Sequence, residues 1–129
     1  MRSAYIAGMA QSYRDLSVWQ EAMALATDVY LAARSMHRDD RFVLGTQLQR
    51  SAISIPSNVA EGWARNQRRV LAAHVRIALG SDAELQTQLD LARRVDALPD
   101  DVSGNLLARS EAVGRMLHGL LRSIQRTRS

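Results

Sequence analysis

The sequence predicts an all-α protein: an antiparallel up-down-up-down four-helix bundle whose second helix is kinked at Pro56. Three observations carry this expectation. Apolar residues recur every three or four positions through four successive segments, which is the period of one helical face. Only two prolines and seven glycines interrupt the 129 residues, which disfavours a turn-rich β fold. The connections between segments are short, and a short connection makes consecutive helices antiparallel neighbours.

Residues 1–14 read as a flexible N-terminal tail, because the apolar patch in MRSAYIAGMAQSYR is too short and too interrupted for a secretory signal. Residues 15–129 then form a single domain, long enough to bury one core. In the first helix, SVWQEAMALATDVYLAARSM, one face carries Trp19, Ala22 or Met23, Ala26, Val29 or Tyr30, and Ala33. Ser17 and Gln20 have the spacing of a capping box. Asp39 or Asp40, within the charged run HRDDR, stands where it can cap the second helix. That helix runs from about Arg41 to Ala64, with Leu44, Leu48, Ala52, Ile55, Val59 and Trp63 on its face. Asn66 reads as the N-cap of a third helix, from about Gln67 to Val95, whose seam holds Leu71, His74, Ala78, Ser81, Leu85, Gln88, Ala92 and Val95. Gly80 lies inside it at a local cost of about 1 kcal/mol relative to alanine, and close backbone packing is the expected reason. Leu98-Pro99-Asp100-Asp101 forms a turn, since proline cannot continue a helix. Leu106, Ser110, Val113, Leu117, Leu120 and Ile124 mark the fourth helix. The alanine-rich faces of the first and third helices leave room for another helix or another subunit.

The stretch SAISIPSNVAEG, residues 51–62, places a proline inside an apolar-periodic run, where it removes a donor to Ala52 and costs about 3 kcal/mol. A break near Ser54 would leave Ser57 to Ala64 as an isolated two-turn helix, with Asn58 and Glu61 as its capping box. Against that, Gln47, Arg50, Ser54, Asn58 and Glu61 recur at helical spacing straight through the proline, which favours one kinked helix. Ser81, Glu84 and Gln88 form a matching stripe on the third helix. The two stripes predict a structural polar seam, with Arg50 paired to Glu84, and their alternative is a pair of solvated faces.

All seventeen basic residues are arginine, against thirteen acidic ones, giving a net charge of +4. Arginine-only usage fits either a GC-rich coding sequence or selection for phosphate and carboxylate recognition. No cysteine is present, which excludes disulfides, thiolate catalysis and thiolate metal sites and fits a cytoplasmic protein. No run approaches the ~20 apolar residues of a membrane span. His37, His74 and His118 sit singly, without the Glu-x-x-His pairs of a di-iron bundle, so no metal or other cofactor is expected. A satisfied, hydrogen-bonded side chain is the expected role of His74. Ser54 and Ser57 lack an activating neighbour in sequence, and a helix interior is a poor place to activate a nucleophile. No catalytic residue is assigned.

An antiparallel bundle gathers Arg14, Arg65, Arg68, Arg69, Arg122, Arg126 and Arg128 at one pole, and Arg115 shares a sector of the fourth helix with Arg122 and Arg126. At the opposite pole the arginines are offset by Asp39, Asp40, Asp96, Asp100 and Asp101. The candidate nucleic-acid-binding set is therefore Arg65, Arg68, Arg69, Arg115, Arg122, Arg126 and Arg128, which would attract a polyanion by counterion release. Its alternative is a solvated surface whose last arginines complement the negative end of the fourth helix.

The motifs LSVWQEAM (16–23), QLQRSAISIPSNVAEGWAR (47–65) and IALGSDAELQTQLDLA (77–92) resemble those of the 23S rRNA intervening-sequence protein family, to which the accessory variability protein of diversity-generating retroelements is also similar. The resemblance implies a small antiparallel bundle assembled into a ring-like homopentamer, with the polar residues of the central motif at helix contacts. It implies no enzymatic activity. It brings as partners further copies of the chain, RNA or DNA, and a reverse transcriptase where a retroelement is linked. The reading that follows is a non-enzymatic, homo-oligomeric bundle with a nucleic-acid-binding basic pole and no membrane association. Its alternatives are a protein-interaction or scaffold module without a nucleic-acid role, and an enzyme using Ser54, Asn58 and Glu61.

Overall fold

The computed structural model describes residues 12–126, and among these the architecture is all helical. Four long helices make up the body: α1 (Ser17–Arg34), α2 (Thr46–Ala64), α3 (Arg68–Arg94) and α4 (Asp100–Arg126). Each packs on its sequence neighbours, and α1 closes the bundle against α4. The first eleven residues of the expected tail lie outside the described residues, as does Arg128. From Ser12 onward the chain is ordered in a 3-10 turn, Tyr13–Asp15.

That turn corrects the expected start of the first helix. Ser17 and Gln20 do not form a capping box. The box sits five residues earlier, where the Ser12 hydroxyl accepts from the Arg14 N–H at 3.1 Å and the Asp15 carboxylate accepts from the Ser12 N–H at 3.2 Å. Both pairs have the required spacing, and tertiary packing selects the earlier one. Tyr13 meets Trp19 edge-on with ring centroids 5.2 Å apart, and Gln20 donates to the Arg14 carbonyl at 2.8 Å.

The second helix begins earlier than its α-helical part. His37, rather than Asp39 or Asp40, caps a short helical turn (Arg38–Asp40), and a π-helical turn (Arg41–Gly45) then leads into α2. Such wide turns leave carbonyls poorly matched, and the Thr46 hydroxyl donates to the Phe42 carbonyl at 2.9 Å. α2 remains a single α-helix across Pro56, so the break at Ser54 is not realised.

Asn66 is not an N-cap. It takes the left-handed conformation, φ 58°, which stops α2, as short polar side chains tolerate better than others; Gln67 then precedes α3. Asp96 repeats the device at the end of α3, φ 57°, with the Ala97 N–H reaching back to the Ala92 carbonyl at 2.8 Å. The helix therefore ends at Arg94, and Val95 lies exposed rather than on the seam.

Contacts fix the direction of the central pairs. Ser54 faces Ser81, Asn58 faces His74, and Gly62 lies against Leu71 and His74, so residue numbers rise along α2 as they fall along α3. Arg93 approaches Gly104 while Asp82 meets Ser110 and Gly114, which reverses α4 against α3. The core between them is aliphatic apart from the fully buried Trp63.

Candidate functional site

The predicted polar seam resolves into two parts. Its central members form a hydrogen-bonded chain between α2 and α3. The Ser54 and Ser81 hydroxyls bond each other at 2.7 Å. The Asn58 amide donates to the Ser54 carbonyl at 2.9 Å and to its hydroxyl at 3.0 Å. The Asn58 carbonyl oxygen then meets His74 Nδ1 at 3.0 Å. Because Asn58 presents its oxygen there, Nδ1 carries the proton and donates. His74 Nε2 points toward Glu61 at 3.9 Å, at the rim. His74 is thus a satisfied side chain at a helix contact.

The outer members behave differently. Gln47, Arg50 and Glu84 are exposed, and no ion pair joins Arg50 to Glu84; the expected pair is not formed within the chain. Gln88 is half-buried, and its amide oxygen has no hydrogen-bond partner among the described residues. The seam narrows to the residues nearest the crossing point of the two helices, where Gly62 lets the backbones approach. A β-carbon at Gly62 would lie 2.7 Å from His74 Cβ and 3.2 Å from Leu71 Cα.

A second polar cluster, between α3 and α4, escaped the sequence reading. Asp82 is only 2% exposed. It accepts from the Ser110 hydroxyl at 2.5 Å and from the Gln86 amide at 3.0 Å. Burial pushes its carboxyl above the ordinary value of 3.8; the bonds from Ser110 and Gln86 pull the other way, nearby Glu111 adds to the rise and His118 opposes it. Gly114 makes room for it, since a β-carbon there would stand 2.6 Å from Asp82 Oδ2. The signal was present: Val75, Ala78, Asp82, Leu85, Leu89 and Ala92 are all buried and alternate three and four apart, so Asp82 occupies a core position of α3.

The arginines stand in different surroundings. Arg68 and Arg69 line a groove of about 750 Å³ between the start of α3 and the end of α4, together with Arg76, Gln67 and Gln125, over Ala72 and Ile124. Arg76 lies too far along α3 to belong to the pole, yet it stands seven positions after Arg69, on the same helical face. Arg126 is exposed beside Gln125. Arg65 sits 4.0 Å from Glu61 on its own helix, and the Arg122 guanidinium lies over Gly119. Arg115 is elsewhere, in a groove of mixed charge with Asp82, Glu111 and His118. Arg14 caps the aromatic pair, its guanidinium 5.2 Å from the Tyr13 ring and 5.6 Å from the Trp19 ring. Among the described residues no cluster of histidines and carboxylates suits a metal ion, and no helix is long and apolar enough to cross a membrane.

Comparison with known proteins agrees with the architecture. The chain is similar to a solved structure of a protein of unknown function from the S23 ribosomal protein family of Bacteroides thetaiotaomicron, with 20% identity over 81% of this chain and 95% of that one and a TM-score of 0.76. At that identity the likeness is one of fold. No curated protein matches. A family model described as 23S rRNA-intervening sequence protein matches residues 14–119, a span that takes in α1, α2, α3 and most of α4. The chain belongs to the 23S rRNA-intervening sequence protein family.

Proposed function

We propose that this protein is a non-enzymatic, homo-oligomeric bundle, pentameric by its family resemblance, that binds the phosphate backbone of RNA or DNA in the groove of Arg68, Arg69 and Arg76. The convergence of these arginines with Gln67 and Gln125 on one groove carries the reading. Arg69 and Arg76 are spaced about 10 Å along α3, roughly three base steps of a duplex at ~3.4 Å per step. The first N–H groups of α3 have no side-chain cap and add partial positive charge at the same place. No aromatic ring of the described residues lines the groove, which suits backbone contact rather than base stacking. Copies arranged in a ring would multiply weak contacts into useful avidity.

The seam supports the non-enzymatic part. The Ser54 hydroxyl is engaged by Ser81 and Asn58, and Glu61 stands by the far nitrogen of His74 and by Arg65.

Fluorescence anisotropy with labelled RNA and DNA duplexes across a salt series tests the binding. Affinity is expected to fall steeply with salt, and the double variant Arg69→Gln/Arg76→Gln to lower the log–log slope by about 2. Binding that is absent at low salt, or unchanged in slope by the double variant, overturns the nucleic-acid role. Sedimentation of the wild type as a monomer overturns the homo-oligomer.

A further inference from the structure

Gly80 sits in the middle of the 27-residue helix α3, where glycine costs about 1 kcal/mol relative to alanine. Close packing was the expected reason, yet a β-carbon there would meet nothing within 4 Å. Among the described residues no neighbour needs the glycine. Around it runs an outward stripe of α3: Ala73, Ile77, Gly80, Glu84, Thr87 and Leu91, all exposed, with spacings of four and three. Ile77 is 52% exposed and Leu91 48%. A spacing this regular suits a helix that packs on both sides, with the glycine allowing close approach.

A receiving surface lies elsewhere on the chain. Between α1 and α2 an apolar groove of about 580 Å³ is lined by Met23, Tyr30, Leu31, Ile53, Pro56 and, at one end, Arg34. Met23, Tyr30, Leu31 and Ile53 are 40–53% exposed, a contiguous apolar surface of the kind that marks an interaction site. Among the described residues Arg34 is the only charged one lining the groove; it stacks over Tyr30 at 5.9 Å and pairs with no described carboxylate. Glu84, on the α3 stripe, likewise has no cationic partner among the described residues. Seven residues separate Ile77 from Glu84, and seven separate Thr27, in the body of the groove, from Arg34. Both intervals are about 10 Å along a helix.

We infer that the α3 stripe of one copy docks into the α1–α2 groove of a second copy, with Ile77 over the groove, Gly80 at closest approach and Glu84 on the neighbour's Arg34. The inference rests on the homo-oligomeric reading and names its interface. Stripe and groove are different surfaces, so the contact is heterologous, and repeating it runs head to tail, as in a ring or a filament, rather than as a two-fold dimer.

The test uses two variants at exposed positions. Gly80→Trp obstructs the stripe and Leu31→Glu obstructs the groove, and neither disturbs the core. Each is expected to keep wild-type helicity by circular dichroism and to weaken self-association at least ~30-fold in sedimentation velocity. Mixed, they are expected to form a one-to-one dimer, because the Gly80→Trp copy retains a groove and the Leu31→Glu copy retains a stripe. If the wild type associates and Gly80→Trp associates equally well, this interface is overturned and the homo-oligomer stands. If both variants are monomeric and the mixture does not pair, the two faces are not partners and the inference is likewise overturned. A monomeric wild type overturns both readings.

Discussion

The two faces of α3 solve the same packing problem with different chemistry. Toward α2 it presents Ser81 and His74, which join Ser54 and Asn58 in a chain of neutral hydrogen bonds. Toward α4 it presents Asp82, a buried carboxylate held by Ser110 and Gln86. Both faces pair a polar group with a glycine on the opposite helix, Gly62 in α2 and Gly114 in α4. In the first, the glycine lets two backbones touch. In the second, it makes room for one side chain. Polar groups at a helix contact therefore do not share one energetic role: a neutral, satisfied chain fixes register at little cost, whereas a buried carboxylate remains penalised by its lost hydration.

The largest expected effect separates the faces by what each glycine touches. Gly62→Ala would push a β-carbon to 3.2 Å from the Leu71 backbone and 2.7 Å from His74 Cβ, and neither is the end of a flexible chain. A loss of about 3 kcal/mol is expected, the upper part of the overpacking range, measured by urea denaturation. A neutral or stabilising change, such as an unobstructed helical Gly→Ala substitution gives, would mean that the α2–α3 crossing is not set by backbone contact.

Gly114→Ala should cost somewhat less, about 2 kcal/mol. Its obstacle is the Asp82 carboxylate, which two hydrogen bonds hold in place but a rotamer change can relieve. In the Asp82→Ala background the same substitution should lose most of its penalty, since helix propensity alone favours alanine. A double-mutant cycle reads this coupling directly, and strict additivity would show that the carboxylate is not what Gly114 accommodates.

Asp82→Asn sharpens the contrast in charge. Because burial raises the Asp82 pKa above 3.8, the folded state holds that proton more readily than the unfolded one, and stability contributed by the group is lost as pH climbs through the raised value. At neutral pH the wild type bears the burial cost of an ionised carboxylate, which asparagine avoids. The variant should show a Tm a few degrees higher at pH 7, about 1 kcal/mol or less, and the difference should shrink as pH falls toward 3.8. An advantage that grows on acidification would reverse the assignment.

The unequal legibility of the two faces has a physical origin. Helical period exposes a polar stripe when its residues recur along a helix, as Ser54, Asn58 and Glu61 do, and the four helices were readable for the same reason. Asp82 stands alone among apolar core positions, so nothing in the stripe pattern marks it. Only its phase with Ala78, Leu85 and Leu89 does, and choosing the neighbouring phase through Ser81 and Gln88 hid it. Local signals that tie in sequence were decided by tertiary contacts: Ser12 with Asp15 over Ser17 with Gln20, and Asn66 as the stop of one helix rather than the start of the next. Charges were the least legible, because a pole says where an arginine sits along the axis and not which groove it faces. Arg76 joined the candidate set and Arg115 left it for that reason.

The smallest expected effect concerns the seam's outer edge. Arg50 and Glu84 were expected to pair, and disruption of such a pair, if buried, costs several kcal/mol by leaving one charge uncompensated. Both are instead exposed, and among the described residues neither has an ion-pair partner. Arg50→Ala should therefore change the unfolding free energy of the isolated subunit by no more than ~0.5 kcal/mol, at a protein concentration low enough to exclude association. The change should stay that small in high salt, because an unpaired surface charge offers no local attraction to screen. A loss of several kcal/mol would return Arg50 to the buried seam and extend the neutral chain of Ser54, Asn58 and His74 into a charged one, erasing the distinction between the two faces of α3.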